Sequence, residues 1–257
     1  MNHLVLREDV GQIAVVTLNR PARHNSLIPE LLEELLEITE SIGLDETIRA
    51  MVLQANGRSF STGGDAQGFV DHLDRIEEYS HHLVGLLNKV ILSLIYLPVP
   101  IIAAVNGIVT GGSIGIVLAC DIVLVSEKAS FTPYYSVVGV SPDGGWTALL
   151  PSIIGRPRAA SVIMLNETIA ARQALDWGIA CRLVPADQIQ KAAIETAETV
   201  VGNKPGSIFH TKKLLNLDRQ SIESGLEAER EHFVQHIVTL EGKEAFVSFL
   251  KDLHATK

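Results

Sequence analysis

Three glycine-rich loops hold the residues best suited to chemistry in this chain. They are Ser61-Thr62-Gly63-Gly64-Asp65, Thr110-Gly111-Gly112-Ser113-Ile114-Gly115 and Ser141-Pro142-Asp143-Gly144-Gly145. None continues into the Gly-Lys-Ser/Thr of a phosphate-binding P-loop, and none has the GxGxxG spacing of a dinucleotide site. Glycines make tight turns, but they also let backbone N–H groups reach a ligand with no side chain in the way. Two double-glycine loops after separate buried strands offer two such N–H groups to one oxygen. That is the requirement of an oxyanion hole for a developing enolate or tetrahedral oxygen. A helix starting at Gly112 would add the positive end of its dipole. The second loop also fits G-x-S-x-G, the nucleophile elbow of α/β-hydrolases, with Asp143 and His210 following Ser113 in hydrolase order. Against that reading, Asn106 to Thr110 are expected to separate the glycines from the preceding strand. His232 and His236 sit at i, i+4, but HFVQH lacks the glutamate of HExxH, so a solvated helix face is expected and no metal site.

Elements that could position such loops are legible around them. His3 to Asn19 reads as two strands joined at Val10-Gly11, and Pro29 opens a helix with an apolar stripe at Leu31, Leu35, Ile38 and Ile42. Arg49 to Gln54 reads as a strand, Tyr79 to Leu97 as a helix ended by Pro98, and Pro100 to Val105 as a buried strand. Gly112 to Cys120 reads as a buried helix and Asp121 to Val125 as a strand. Strands alternating with helices imply an α/β class. From Ile189 onward helical patterns dominate, which suggests a core over 1–196 and a helical C-terminal region over 197–257. The 257 residues are 47% apolar, enough for a sizeable core, and too apolar for a disordered chain. With 21 Lys+Arg against 30 Asp+Glu, the net charge is −9, which argues against a nucleic-acid partner, since binding there needs a cationic face. Cys120 and Cys181 lie far apart, so no disulfide framework or zinc ribbon is expected. No charge occurs from Val90 to Cys120, yet Pro98, Pro100 and the following glycines break the run, so no membrane span is expected. The N-terminus lacks the features of a signal peptide, and a cytoplasmic setting is the default.

The loops and strands together resemble the crotonase superfamily, the enoyl-CoA hydratases/isomerases. The similarity is carried by Leu18-Asn19-Arg20-Pro21 with Asn25, by Gly57 to Asp65, by Pro100 to Gly107 and by Gly111-Gly112. It continues through Cys120-Asp121, Pro142 to Gly145 and Glu241 to Phe246. The resemblance implies a spiral of ββα units and a helical C-terminal region used in trimerisation, as a homotrimer or a dimer of trimers. It also implies an acyl-CoA thioester as substrate, with no cofactor beyond the coenzyme A it carries. Carried onto this sequence, the oxyanion hole is the N–H groups of Gly64 and Gly112. Arg23, Thr62, Gly63, Asp65, Gly111 and Tyr135 fall at the substrate- and CoA-binding surface. Asp65 is read there as bracing its loop, and Arg20 and Arg23 as able to meet CoA phosphates.

Carboxylates distinguish the chemistries of such a family. Similar hydratases use two glutamates, at positions held here by Gly115 and Tyr135, so ordinary hydration is doubtful. Restoring both would be expected to raise any trace of it. Asp143 remains. Family members with an acid there tend to be isomerases, and Gly139 to Gly145 is similar to the phenylacetate-pathway ring-opening isomerases. One carboxylate suffices for a 1,3-proton shift, and an apolar pocket holding Val137, Val138, Val140 and Trp146 would raise its pKa toward a useful base. A capping role for Asp143 on a helix starting near Gly144 is the alternative within the loop. Another is the nucleophile of a 4-chlorobenzoyl-CoA dehalogenase-like hydrolase. There a histidine is needed on the preceding helix, where His81 and His82 lie in the region but Asn88 holds the matching place. An acyl-CoA binder without turnover is the last.

Overall fold

The computed structural model describes residues 3–216 and 218–255. It opens on the expected hairpin, β1 (Val5–Val10) antiparallel to β2 (Ile13–Leu18), turning at Gly11. The following strands are β3 (Ala50–Ala55), β4 (Ser59–Ser61), β5 (Ile101–Val105), β6 (Ile108–Thr110) and β7 (Ile122–Ser126), then β8 (Ser130–Thr132), β9 (Ile169–Ala170) and β10 (Arg182–Val184). The first helices are α1 (Pro29–Leu44), α2 (Ala66–Asp71), α3 (Ile76–Tyr96), α4 (Ile114–Leu118), α5 (Tyr135–Val138) and α6 (Leu150–Ile154). After them come α7 (Arg156–Leu165), α8 (Ala171–Asp176), α9 (Ile189–Val201), α10 (Pro205–Leu215), α11 (Arg219–Ile237) and α12 (Leu240–Ala255).

Two sheets result. The larger runs β1-β2-β3-β5-β7-β10 and the smaller β4-β6-β8-β9. From β2 onward the large sheet is parallel, and so are β4, β6 and β8. Each of β3, β5 and β7 hands the chain within a few residues to β4, β6 and β8, so the backbone winds between the sheets with helices closing the turns. This is the expected crotonase-like spiral of ββα units.

β5 shows how the layers are built. All five residues of Ile-Ile-Ala-Ala-Val are buried, as suits a parallel strand covered on both faces. Side chains alternate across a strand: Ile101, Ala103 and Val105 join the main core under α1 and α3, whereas Ile102 and Ala104 face Ile189, Ala193 and Ala197 of α9. Helix α9 therefore covers the large sheet and runs across position 197. α10 is pinned by Lys212, whose buried ammonium donates to the Asp121 carboxylate at 2.8 Å and to Val99 O at 3.0 Å.

One difference bears on the site. Asn106 to Thr110, expected as loop, contains β6, paired in parallel with β4 through Ser59–Ile108 and Ser61–Val109. Three-residue strands are too short to show a period in sequence. No helix of the described residues is long and apolar enough to cross a membrane, and both cysteines are free thiols.

Candidate active site

Because β4 and β6 are parallel neighbours, the loops leaving their C-terminal ends emerge side by side. They touch through backbone. A Cβ on Gly63, which has φ +72°, would lie 2.6 Å from Thr110 O and 3.2 Å from Gly111 Cα, so only glycine fits. The peptides flanking Gly64 are fixed by Leu27, whose N–H donates to Gly63 O at 2.8 Å and whose carbonyl accepts from Asp65 N at 3.0 Å. Among the described residues, neither the Gly64 nor the Gly112 N–H has a protein acceptor. Apolar side chains crowd both glycines: a Cβ on Gly64 would meet Phe69 Cε2 at 2.8 Å, and one on Gly112 would meet Leu87 Cδ2 at 2.6 Å. Donors free in apolar surroundings are what an oxyanion hole requires.

The third loop closes on the same spot. Gly144, at φ +61°, packs directly on the Gly112 backbone, and a Cβ on Gly112 would lie 2.9 Å from Asp143 Oδ1. The Trp146 indole N–H donates to Gly111 O at 2.8 Å and ties the loops together. Asp143 is only 7% exposed, and its Oδ1 accepts a hydrogen bond from the Tyr135 hydroxyl. Burial pushes the Asp143 carboxyl up to about 7, opposed by the Tyr135 hydrogen bond and assisted by the charge of Glu229. The capping role is corrected: residues 144–149 form turns, and the next helix begins at Leu150. The N–H groups of that turn go to a side chain from α11. Gly145 N–H donates to Glu229 Oε2 at 2.7 Å, and Thr147 N–H, Ala148 N–H and the Thr147 hydroxyl donate to Oε1 at 2.6, 2.9 and 2.6 Å. Sequence reasoning missed Glu229. It sits in Glu-Ala-Glu-Arg-Glu, which reads as a solvated helix face.

A family model described as enoyl-CoA hydratase/isomerase matches residues 8–256. The chain belongs to that family. The short-chain-enoyl-CoA hydratase of Clostridium acetobutylicum is 31% identical over 98% of this chain and 95% of its own length. The 1,2-epoxyphenylacetyl-CoA isomerase of Escherichia coli is 30% identical over 90% of this chain and 89% of its own. The crystal structure of an enoyl-CoA hydratase/isomerase from Mycobacterium paratuberculosis matches with a TM-score of 0.89, at 25% identity over 96% of this chain and 99% of that one.

Within this enoyl-CoA hydratase/isomerase fold the remaining expected residues separate. Asp65 is a brace: it accepts from Arg20 at 2.7 Å, Arg23 and Ser26 at 3.0 Å, and caps α2 through Gln67 N–H at 3.1 Å. Burial opposes ionisation there, but Arg20, Ser26 and Arg23 together hold its carboxyl below the ordinary value. Thr62 N–H donates to His24 O at 3.2 Å beside the Gly63 turn. A cavity of about 620 Å³ opens next to that loop, lined by Arg20, Arg23, Asp65, His72 and Arg75; Gly112 and Asp143 do not line it. Tyr135 lies at Asp143 and contacts the Gly111 side of the site.

Restoring glutamates at Gly115 and Tyr135 meets a steric barrier at the first of the two positions. A Cβ there would overlap Gly144 O and lie 2.5 Å from Ile91 Cδ1. Among the described residues the dehalogenase-like reading finds no histidine bonded to Asp143: His81 meets Arg230 at 3.1 Å, His82 meets Glu33 at 3.8 Å, and Asn88 donates to Leu226 O. His232 is exposed, and among the described residues no group of three His, Cys, Asp or Glu is arranged to hold a metal.

The hydrolase elbow fails on its hydroxyl, not on its strand. With β6 ending at Thr110, the glycines do follow a strand directly. Ser113, however, is fully buried with its Oγ 2.7 Å from Thr110 O and 3.0 Å from Ser61 O, while His210 is exposed on α10. A fluorophosphonate probe is therefore expected to leave Ser113 unlabelled by mass spectrometry; stoichiometric labelling would reinstate the elbow.

Proposed function

We propose that the chain isomerises the double bond of an enoyl-CoA thioester, with Asp143 carrying the proton and the Gly64 and Gly112 N–H groups holding the enolate oxygen. The observation that carries this reading is the buried Asp143 carboxyl, raised to about 7 beside Gly112, with no room for a glutamate at Gly115. The carboxylate removes a proton α to the thioester, and the C–H electron pair moves toward the carbonyl oxygen, where the two N–H groups meet the charge. Tyr135 occupies Oδ1, which leaves Oδ2 to take the proton and return it two carbons along. The base is regenerated and no water is consumed. Each N–H donor contributes about 3–4 kcal/mol to transition-state stabilisation in sites of this kind. Arg20 and Arg23 at the charged cavity would meet the phosphates of the CoA ester, and assembly as a homotrimer or dimer of trimers belongs to the same proposal.

The reading is tested by giving the enzyme a 3-enoyl-CoA and a 2-enoyl-CoA side by side. Conversion of the first with little hydration of the second supports it; efficient hydration of the second overturns it. The pH profile follows from the base. Below about 7 Asp143 holds its proton and cannot begin the cycle, so kcat/KM should climb with pH and level off above about 7. A profile already flat from pH 5 upward would place the base elsewhere.

A further inference from the structure

We infer that Glu229 is a positioning residue for the proton transfer: from α11 it fixes the turn Gly145 to Ala148, and so holds the Asp143 carboxylate against Gly112. The inference rests on the reading of Asp143 as the proton carrier. Four hydrogen bonds reach one buried side chain, and they use both of its oxygens. Glu229 is 4% exposed and, among the described residues, has no cationic partner. Its neighbour Arg230 pairs instead with Glu227 at 2.9 Å and with His81. The helix is brought in close at the same place, because a Cβ on Gly225, one turn earlier, would lie 3.0 Å from Ala148 Cβ.

A brace alone does not need this chemistry. Burying an unpaired charge is costly, and an amide would serve a turn that offered donors to one arm only. Here the arms differ: Oε1 takes Thr147 and Ala148, while Oε2 takes the N–H of Gly145, two residues from Asp143. Gly145 has φ +92°, a conformation open to glycine, and the bond from its N–H to Glu229 ties that turn to α11. The titratable groups facing Asp143 are Tyr135 from α5 and Glu229 from α11. A negative charge fixed there favours the protonated form of Asp143, in the sense that a general base working near neutral pH requires. Glu229 thus supplies both the position and part of the basicity of the carboxylate.

The test is Glu229→Gln in the full-length enzyme. The amide keeps the Oε1 contacts but turns a donor toward Gly145 N–H and removes the charge. Two readouts are taken: kcat and KM for a 3-enoyl-CoA, and the titration of Asp143 by ¹³C NMR of carboxyl-labelled aspartate, assigned with Asp143→Asn. Expected are a kcat lower by about tenfold or more, since a misplacement of about 1 Å can cost 10²-fold, an almost unchanged KM, and a titration midpoint below that of the native enzyme. An unmoved midpoint, whatever happens to kcat, would overturn the inference. If Glu229→Gln does not fold, Thr147→Val removes one of the four bonds and keeps the charge. A kcat reduced a few-fold with an unmoved midpoint supports the inference, and a native kcat overturns it. If the native enzyme turns over no 3-enoyl-CoA, the isomerase reading fails by itself, while the midpoint still reports whether Glu229 governs Asp143.

Discussion

Asp143→Asn is expected to lower kcat for a 3-enoyl-CoA by about 10³-fold or more, because in the proposed cycle one group performs both proton transfers and each is worth 10²–10⁴-fold in general acid–base catalysis. The amide matches the carboxylate in shape and still accepts from Tyr135, so the Kd for the CoA ester should stay within a few-fold. The same variant should be more stable than the native protein above neutral pH. Folding raises the Asp143 carboxyl from 3.8 to about 7. Between those values the unfolded chain releases a proton that the folded chain retains, so native stability falls as pH rises from about 4 to about 7 and stays reduced above that. The span corresponds to on the order of 4 kcal/mol, which asparagine does not incur. Denaturant unfolding at pH 4 and pH 8 reads this directly: the variants should be alike at the lower pH and separate at the higher. Equal turnover, or a variant less stable at pH 8, would remove Asp143 from its assigned role. The trade of stability for function at such a residue is the usual one for an active site.

A glutamate at Gly115 is expected to damage the protein without creating a hydratase. The position faces Ile91 and the Gly144 carbonyl with no space for even a methyl group, and backbone there cannot swing aside as a side chain would. Gly115→Ala should already cost about 1–3 kcal/mol, the range for overpacking a filled core, and Gly115→Glu more. Because Gly144 adjoins Asp143, isomerisation should fall along with stability. Thermal unfolding and the paired enoyl-CoA assay check both points. A folded Gly115→Glu enzyme that hydrates a 2-enoyl-CoA would show that the third loop can move and that the reading of a one-carboxylate site is wrong.

The large sheet and its long helices were legible because burial leaves a period. β5 is a continuous apolar run and β3 and β7 carry apolar runs of four residues, while α1 and α3 carry stripes at helical spacing. The small sheet was not. Ser-Phe-Ser, Ile-Val-Thr and Ser-Phe-Thr are three residues each, and their pairing is fixed by the spiral and not by local pattern. That is why β6 carries no strand signal in the sequence, and why a nucleophile elbow has to be judged on the burial of the Ser113 hydroxyl. The candidate site divides in the same way. Double glycines announce themselves, and Asp143 between Pro142 and Gly144 could be singled out, but its role as cap or base depended on whether a helix followed. Glu229 could not be found at all, since it is 86 positions further along on a helix rich in acids, and only the folded turn reveals the four donors it serves.

The backbone contacts among the three loops also decide where this lineage has room to change. Gly63 against Thr110, Gly144 against Gly112 and Gly115 against Gly144 leave no volume for a new side chain, so drift at these sites is closed in both directions. Phe69 and Leu83 meet Gly64, and Leu87 meets Gly112, with side chains and not with main chain. Substitutions there would alter the side-chain surroundings of the two proposed N–H donors and leave the backbone of the loops where it is. Room for change around these glycines would accordingly lie on α2 and α3, with the backbone contacts of the loop cluster left in place.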